Sequence, residues 1–183
     1  MNIVVLAGTN REGSNTLRVA KALTTRYAAL EGVQASLLDL RGLPPGLLDP
    51  GAYANKPDGY ARFAEAVVGA DGLHVVTPEY NGGPPGVLKL FIDHLPFPAS
   101  FERRPACFTG LSAGRFGALR PVEQLQAIFG YRNALQYPDR VFIPGIGKAL
   151  GEDGWPREDF VGGLLARQVE GFVAFARAVA PVR

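Results

Sequence analysis

Apolar residues gather into five short runs, separated by stretches in which they recur every three or four positions. The first run, residues 2–7, is continuous rather than alternating, which predicts a strand buried on both faces. From Ser14 to Leu30 the apolar positions Leu17, Ala20, Leu23, Tyr27 and Leu30 keep helical spacing, and Gly32 marks a stop. Residues 33–40 read as a second strand. Residues 41–57 are rich in Pro and Gly and too irregular for an element. At ~16 residues this connection is longer than most in a compact domain, which predicts a surface or site-bordering excursion. A helix over 58–70, with Tyr60, Phe63, Ala64 and Val67 on one face, precedes a third strand at 73–77. A short helix over 86–94, a fourth strand at 105–109 and a helix over 118–129 follow. A fifth strand lies within 134–143, where Pro138 implies an edge or a bulge. A last helix over 157–179 turns Phe160, Leu164, Leu165, Val169, Phe172, Phe175 and Val179 inward.

Strands alternating with helices predict an α/β fold, an open parallel sheet with helices on both faces and right-handed crossovers. No repeat or linker divides the 183 residues, so a single domain over 1–183 is expected. The chain is 47% hydrophobic and 20% charged, ordinary for a globular protein. A net charge of +2 gives no electrostatic case for nucleic acid. No stretch nears the ~20 apolar residues that a membrane helix needs. No basic segment precedes the first apolar run, which is too short for a signal peptide, so a cytoplasmic location is expected. The one cysteine, Cys107, lies in an apolar run and reads as packing rather than a nucleophile. His74 falls inside the third strand and reads as a core residue. His94 ends a helix, where a cation suits the dipole or an interface. Lys89 and Asp93, four apart on one helix, read as a surface or inter-subunit ion pair.

The chemistry gathers in three loops, which follow strands one, three and four. In the order 2-1-3-4-5 those strands are neighbours, and ligands of such sheets bind outside the carboxyl ends of the strands. The first loop, Gly8-Thr9-Asn10-Arg11-Glu12-Gly13-Ser14-Asn15-Thr16, leads straight into a helix. It offers hydroxyls, a guanidinium and unpaired helix amides to a phosphate. Ser14 stands where a Walker loop needs Lys, and Asn10 where a dinucleotide fingerprint needs its second Gly. An ordinary turn with Ser14 or Asn15 as the helix cap is the plainer reading of the same residues. The second loop, Pro78-Glu79-Tyr80-Asn81-Gly82-Gly83-Pro84-Pro85, combines a planar ring with bare backbone that a flat ligand could approach. Its plainer reading is a proline-stiffened turn. The third, Ser112-Ala113-Gly114 through Gly117, could edge the same ring or simply open a helix. One phosphate and one flat heteroaromatic ring suggest a mononucleotide-sized cofactor, and FMN fits.

The chain resembles the NADPH-dependent FMN reductases, a family that includes flavodoxin-like quinone, chromate and azo reductases. The phosphate loop Gly-Ser-x-Arg-x-x-Ser is matched by Gly8 to Ser14. The flavin loop is matched by Pro78-Glu79-Tyr80-Asn81, Pro85-Gly86-Val87-Leu88-Lys89 and Asp93. A Ser-x-Gly-x-x-Gly run is matched by Ser112 to Gly117. The middle match is long and specific. Departures are Thr9 for Ser, Gly83 for Ser, Leu90 for Asn and His94 for Trp.

The resemblance implies a flavodoxin-like three-layer sandwich with a five-stranded parallel sheet in order 2-1-3-4-5. It implies FMN held by Thr9, Asn10, Arg11, Ser14, Asn15 and Thr16, by Pro78, Glu79, Tyr80, Asn81, Gly82 and Gly83, and by Ser112, Ala113 and Gly114. NADPH or NADH is the implied electron donor. A quinone, flavin, metal oxyanion or azo compound is the implied small-molecule acceptor, reached by a ping-pong route. The flavin carries such chemistry, so no side chain is expected to be catalytic and no metal to be bound. A flavodoxin-type electron carrier without its own NAD(P)H oxidation is the alternative, although such carriers usually dock through a strongly acidic face. A homodimer or homotetramer is implied, packing around the helix over 86–94, where Leu88, Leu90, Phe91 and Leu95 are too many for one sheet face.

Overall fold

The structure is a computed structural model that describes residues 1–180. Five parallel strands, β1 (Asn2–Ala7), β2 (Gln34–Asp39), β3 (Gly72–Pro78), β4 (Pro105–Leu111) and β5 (Leu135–Ile143), form one sheet in the order β2-β1-β3-β4-β5. The sheet lies between two helical layers. Against one face pack α2 (Ala61–Val68), α3 (Gly86–His94) and α4 (Leu119–Tyr131), and against the other α1 (Asn15–Ala28), α5 (Ile146–Ala149) and α6 (Asp159–Val179). Successive residues of a strand point to opposite faces. Val4 and Leu6 of β1 enter the first core, and Ile3, Val5 and Ala7 the second. Both faces are covered, which is why the central strands read as unbroken apolar runs.

Local chemistry sets the element ends. Ser14 caps α1, its Oγ accepting the Leu17 N–H at 3.2 Å. The second helix begins at residue 61, not 58, because Gly59 sits at φ +80°, outside helical space. Residues 41–57 are not irregular throughout. They hold most of three short 3₁₀ turns, Leu40–Gly42, Pro45–Leu48 and Pro50–Tyr53, two of them with proline near the start where its missing N–H costs nothing. The short helix α5 has no long periodic pattern to betray it. In α6 most of the expected inward residues are buried or half-buried, but Phe160 is 68% exposed in the first turn, before the helix reaches the sheet.

Two expectations about α3 change. Leu88, Phe91, Ile92 and Leu95 are all buried within this chain and Leu90 is half-buried, since residues 40–53 cover the flank that the sheet does not. His94 ends the helix as expected but is buried, which disfavours the cation. Its ring stacks on Tyr53 at 4.3 Å between centroids, and burial, with Lys56 nearby, lowers its pKa. Lys89 and Asp93 form the exposed ion pair that their spacing predicts, at 2.7 Å.

β5 is both an edge strand and bulged at Pro138. Its register slips opposite Cys107, between the pairs Ala106–Gln136 and Phe108–Arg140. Gln168 of α6 repairs the ladder there, its Nε2 donating to the carbonyls of Phe108 and Asp139, both at 2.9 Å. Its Oε1 accepts from the Thr109 hydroxyl at 2.8 Å. Thr109 then accepts from Nε2–H of His74 at 2.8 Å, and Nδ1 of His74 accepts from the Tyr27 hydroxyl at 2.8 Å. The tautomer follows from this order of donors. The chain of bonds joins α1, β3, β4, β5 and α6 with every member satisfied. Cys107, in the same buried layer, is a free thiol whose pKa burial pushes up.

Burial lowers the His74 pKa from 6.5 to about 3, so the fold holds it neutral. Stability from this residue is fully present above pH 6.5 and is lost as pH falls from there toward 3, since the unfolded chain takes up the proton first. Urea unfolding from pH 7 to pH 4 is expected to show a decline in which His74 contributes up to about 1.4 kcal/mol per pH unit. In His74→Asn that contribution vanishes, while stability at pH 7 is lower by ~1–3 kcal/mol because Tyr27 and Thr109 lose partners. Equal slopes in the two proteins would contradict this account.

Candidate functional site

The first loop leaves β1 at Gly8, whose N–H donates to Val76 O of β3 at 2.8 Å. Thr9 is buried, and its Oγ1 accepts the Arg11 N–H at 3.2 Å and pairs with the Tyr80 hydroxyl at 3.0 Å. The loop then opens toward the start of α1. That first turn carries no acidic residue, so its partial positive charge and unpaired amides remain available to an anion. Arg11 is exposed beside it.

The second loop is a two-residue hairpin turn. Tyr80 and Gly83 exchange both backbone hydrogen bonds, at 2.9 and 3.0 Å. Asn81 and Gly82 both take positive φ, 51° and 77°, the conformation for which Asn-Gly is the favoured pair. Tyr80 is 37% exposed, so part of its ring is open to a ligand. Glu79 lies 3.5 Å from Arg120 of α4, and the Gln124 amide donates to Gly82 O at 3.0 Å.

The third loop folds back over the end of its own strand. Gly117, at φ +57°, lies so close to β5 that a Cβ would stand 2.8 Å from that of Phe142. The Ser112 hydroxyl donates to Gly114 O at 3.1 Å, and Ser112 O accepts the Ile146 N–H at 3.0 Å. That last bond draws α5 to the rim.

The three loops enclose one cavity of about 220 Å³. Arg11, Gly13, Ser14, Asn15 and Thr16 line it from the first loop, Pro78, Glu79 and Tyr80 from the second, Leu111, Ser112 and Ala113 from the third, and Ile146 from α5. Of the residues singled out in the sequence, Thr9 stands behind the wall and holds Tyr80. Asn81, Gly82, Gly83 and Gly114 sit in the turns that shape the rim. Asn10 faces a neighbouring hollow of about 440 Å³ instead, with Leu40, with Leu43, Leu47 and Leu48 of the long connection, and with Gly86, Val87 and Leu90 of α3. The long connection therefore does border the site region. Sequence reading missed Leu111 and Ile146. Leu111 continues the β4 apolar run past its expected end, while nothing in the sequence marks Ile146. It also gave no role to Gln124 and Arg120, polar residues on an exposed helix face.

Chemically the cavity offers cationic and amide donors at one end and a tyrosine ring with small residues at the other. The enclosed volume is below the ~300–1,000 Å³ usual for small-molecule pockets. A ligand with both a phosphate and a tricyclic ring would be anchored inside by the phosphate and would spread its ring over the loop rims.

Comparison with known proteins shows the family. A profile of the NADPH-dependent FMN reductases matches residues 1–148. An NAD(P)H-dependent FMN reductase of Pseudomonas aeruginosa is 31% identical over 97% of this chain and 96% of its own length. A 2-hydroxy-1,4-benzoquinone reductase of a Burkholderia species is 30% identical over 72% of this chain and 71% of its own. The solved structure of a flavoenzyme NAD(P)H:acceptor oxidoreductase of Paracoccus denitrificans superposes with a TM-score of 0.78 at 24% identity, covering 97% of both chains, and shares the fold. On the match of its first 148 residues and these relatives, the chain belongs to the NADPH-dependent FMN reductase family.

Proposed function

We propose that this protein is an NAD(P)H-dependent oxidoreductase that works through FMN bound at the three-loop cavity and passes electrons to small quinones, flavins, metal oxyanions or azo compounds by a ping-pong route. The observation that carries the reading is the meeting of Arg11, Tyr80 and Ser112, far apart in the chain, on one cavity at the carboxyl edge of the sheet. Family membership supplies the cofactor and the class of electron donor.

The residues present fit FMN. Arg11, Ser14, Asn15 and Thr16, with the first-turn amides of α1, would hold the phosphate. Pro78, Glu79 and Tyr80, with the Asn81–Gly83 turn, would face the ring on one side. Ser112, Ala113 and Gly114 would border it on the other. Bound FMN supplies the hydride acceptance and the onward electron transfer. The protein's part is to bind and orient. Arg11 neutralises phosphate charge, Thr9 fixes the Tyr80 ring through its hydroxyl, and the glycine-containing turn lets a planar substrate come close to the backbone. Donor and acceptor would use the same open side in turn, so neither needs a domain of its own. The whole chain would act as a single FMN-binding domain.

Relatives named as quinone and azo reductases support a small-molecule acceptor. Among the described residues no helix is long and apolar enough to cross a membrane, and a cytoplasmic homodimer or homotetramer is the proposed working form. The 440 Å³ hollow beside the first loop has a largely apolar wall and the exposed Leu48 at its rim, which suits a subunit or acceptor contact next to the flavin.

Two measurements test this. The protein reconstituted with FMN should lose its visible flavin absorption when NADPH is added anaerobically, with no second reductase present, and regain it with a quinone. A protein that stays colourless after incubation with FMN would end the proposal. One that binds FMN but is not bleached by NADPH or NADH would be an electron carrier. Second, Arg11→Ala should raise the FMN dissociation constant by about tenfold or more, the worth of a charge-assisted hydrogen bond, while riboflavin, which lacks the phosphate, should bind both proteins alike.

A further inference from the structure

The Tyr80–Gly83 turn is closed by its own two backbone hydrogen bonds, which fix its shape and leave open where it stands relative to the third loop. Its base is set by the pairing of Pro78 with Leu111 and by the Thr9–Tyr80 hydroxyl contact, and its tip is held by α4. Gln124 Nε2 donates to Gly82 O at 3.0 Å, and Arg120, one helical turn earlier, brings Nη1 to 3.5 Å from Glu79 Oε1. The Arg120 guanidinium also lies over the exposed Phe116 ring, 5.6 Å from its centroid. The third loop runs directly into α4, through Gly117 and Ala118 in left-handed conformations. One helix thus carries the Ser112–Ala113 wall at its head and grips the Glu79–Tyr80 wall from its side.

The peptide between Gly82 and Gly83 is held at both ends, its carbonyl by Gln124 and its N–H by Tyr80 O. Residue 83 is matched to this arrangement. A Cβ there would stand 3.2 Å from Gln124 Oε1, tighter than ordinary contact, so a side chain at 83 would make the Gln124 amide give way by a few tenths of an ångström.

We propose that Gln124, seconded by Arg120, is a positioning residue for the flavin site: it sets the spacing between the Tyr80 and Ser112 walls, and it works as a matched pair with Gly83. The proposal rests on the reading of the cavity as the FMN site. Gln124 bonds to the second loop, which faces the ring, so its effect belongs to the ring end of the ligand. The Gln124–Gly82 bond is exposed and competes with water, so a several-fold effect is expected.

The test is a double-mutant cycle read by flavin binding and by amide NMR of the protein without flavin. Gln124→Leu keeps the side-chain bulk and removes the donor. It should weaken FMN and riboflavin by the same factor, about fivefold, the size of one net hydrogen bond, and it should shift the Gly83 amide resonance in the flavin-free protein. Gln124→Lys, which retains a donor, should recover part of the loss. Gly83→Ser should weaken binding in the parent protein and do so much less in a Gln124→Ala background. Unchanged flavin affinity in Gln124→Leu, or additive effects of the 83 and 124 substitutions, would overturn the proposal. If the parent protein took no flavin, the function would fall. The Gly83 resonance would still decide the latch: a shift in Gln124→Leu upholds it, and an unmoved resonance removes it.

Discussion

Three loops can act as one site here because β1, β3 and β4 run parallel and finish level. Ala7 lies opposite Val76, and Thr77 and Pro78 lie opposite Gly110 and Leu111. A one-residue slip between any two of these strands would turn their side chains to the wrong core and carry a loop away from the others. The constraint is enforced from both faces at once. Val4, Leu73 and Phe108 pack on one side, and Ile3, Val76 and Cys107 on the other, so register is written twice in buried apolar surface. Each strand end then needs only small, polar or turn-forming residues to complete the cavity.

The cavity is built mostly from loop and turn residues. Its parts are placed by short cross-links: Thr9 to Tyr80, Gln124 to Gly82, Arg120 to Glu79, Ser112 to Ile146. That suits a protein whose cofactor brings its own reactivity, since what remains for the chain is geometry and charge. It also explains why α4 matters although only its approach loop lines the cavity.

Much of this was legible in the sequence. Continuous apolar runs gave the three central strands, because burial on both faces leaves no polar alternation to confuse, while the edge strands β2 and β5 showed only through alternation and a run broken by Pro138. That the loops after β1, β3 and β4 would meet was legible from strand order and from the small, polar residues in them, whereas the Asn81-Gly82 hairpin pair was not singled out. What escaped has a common cause. The 3₁₀ turns in 41–57 are too short for periodicity, and α5 is four residues long. Ile146 and Gln124 reach the site region through bonds to backbone atoms distant in the chain, and no local pattern encodes such bonds. Phe160 was misplaced because helical spacing tells which face a residue shares. It does not tell whether a neighbour is there to cover that face, or whether one has covered it already.

The buried relay from Tyr27 through His74 and Thr109 to Gln168 has a bearing on how this fold can drift over generations. Tyr27, His74 and Thr109 each donate one proton onward to the next member, so replacing His74 or Thr109 leaves an orphan on either side and replacing an end member leaves its neighbour unpaired, inside the core and beyond the reach of water. Descendants can abandon the set for apolar residues or keep it whole, but the stepwise paths between those endpoints pass through weakened proteins. Four positions spread over more than a hundred residues of sequence are thereby tied into a single heritable unit.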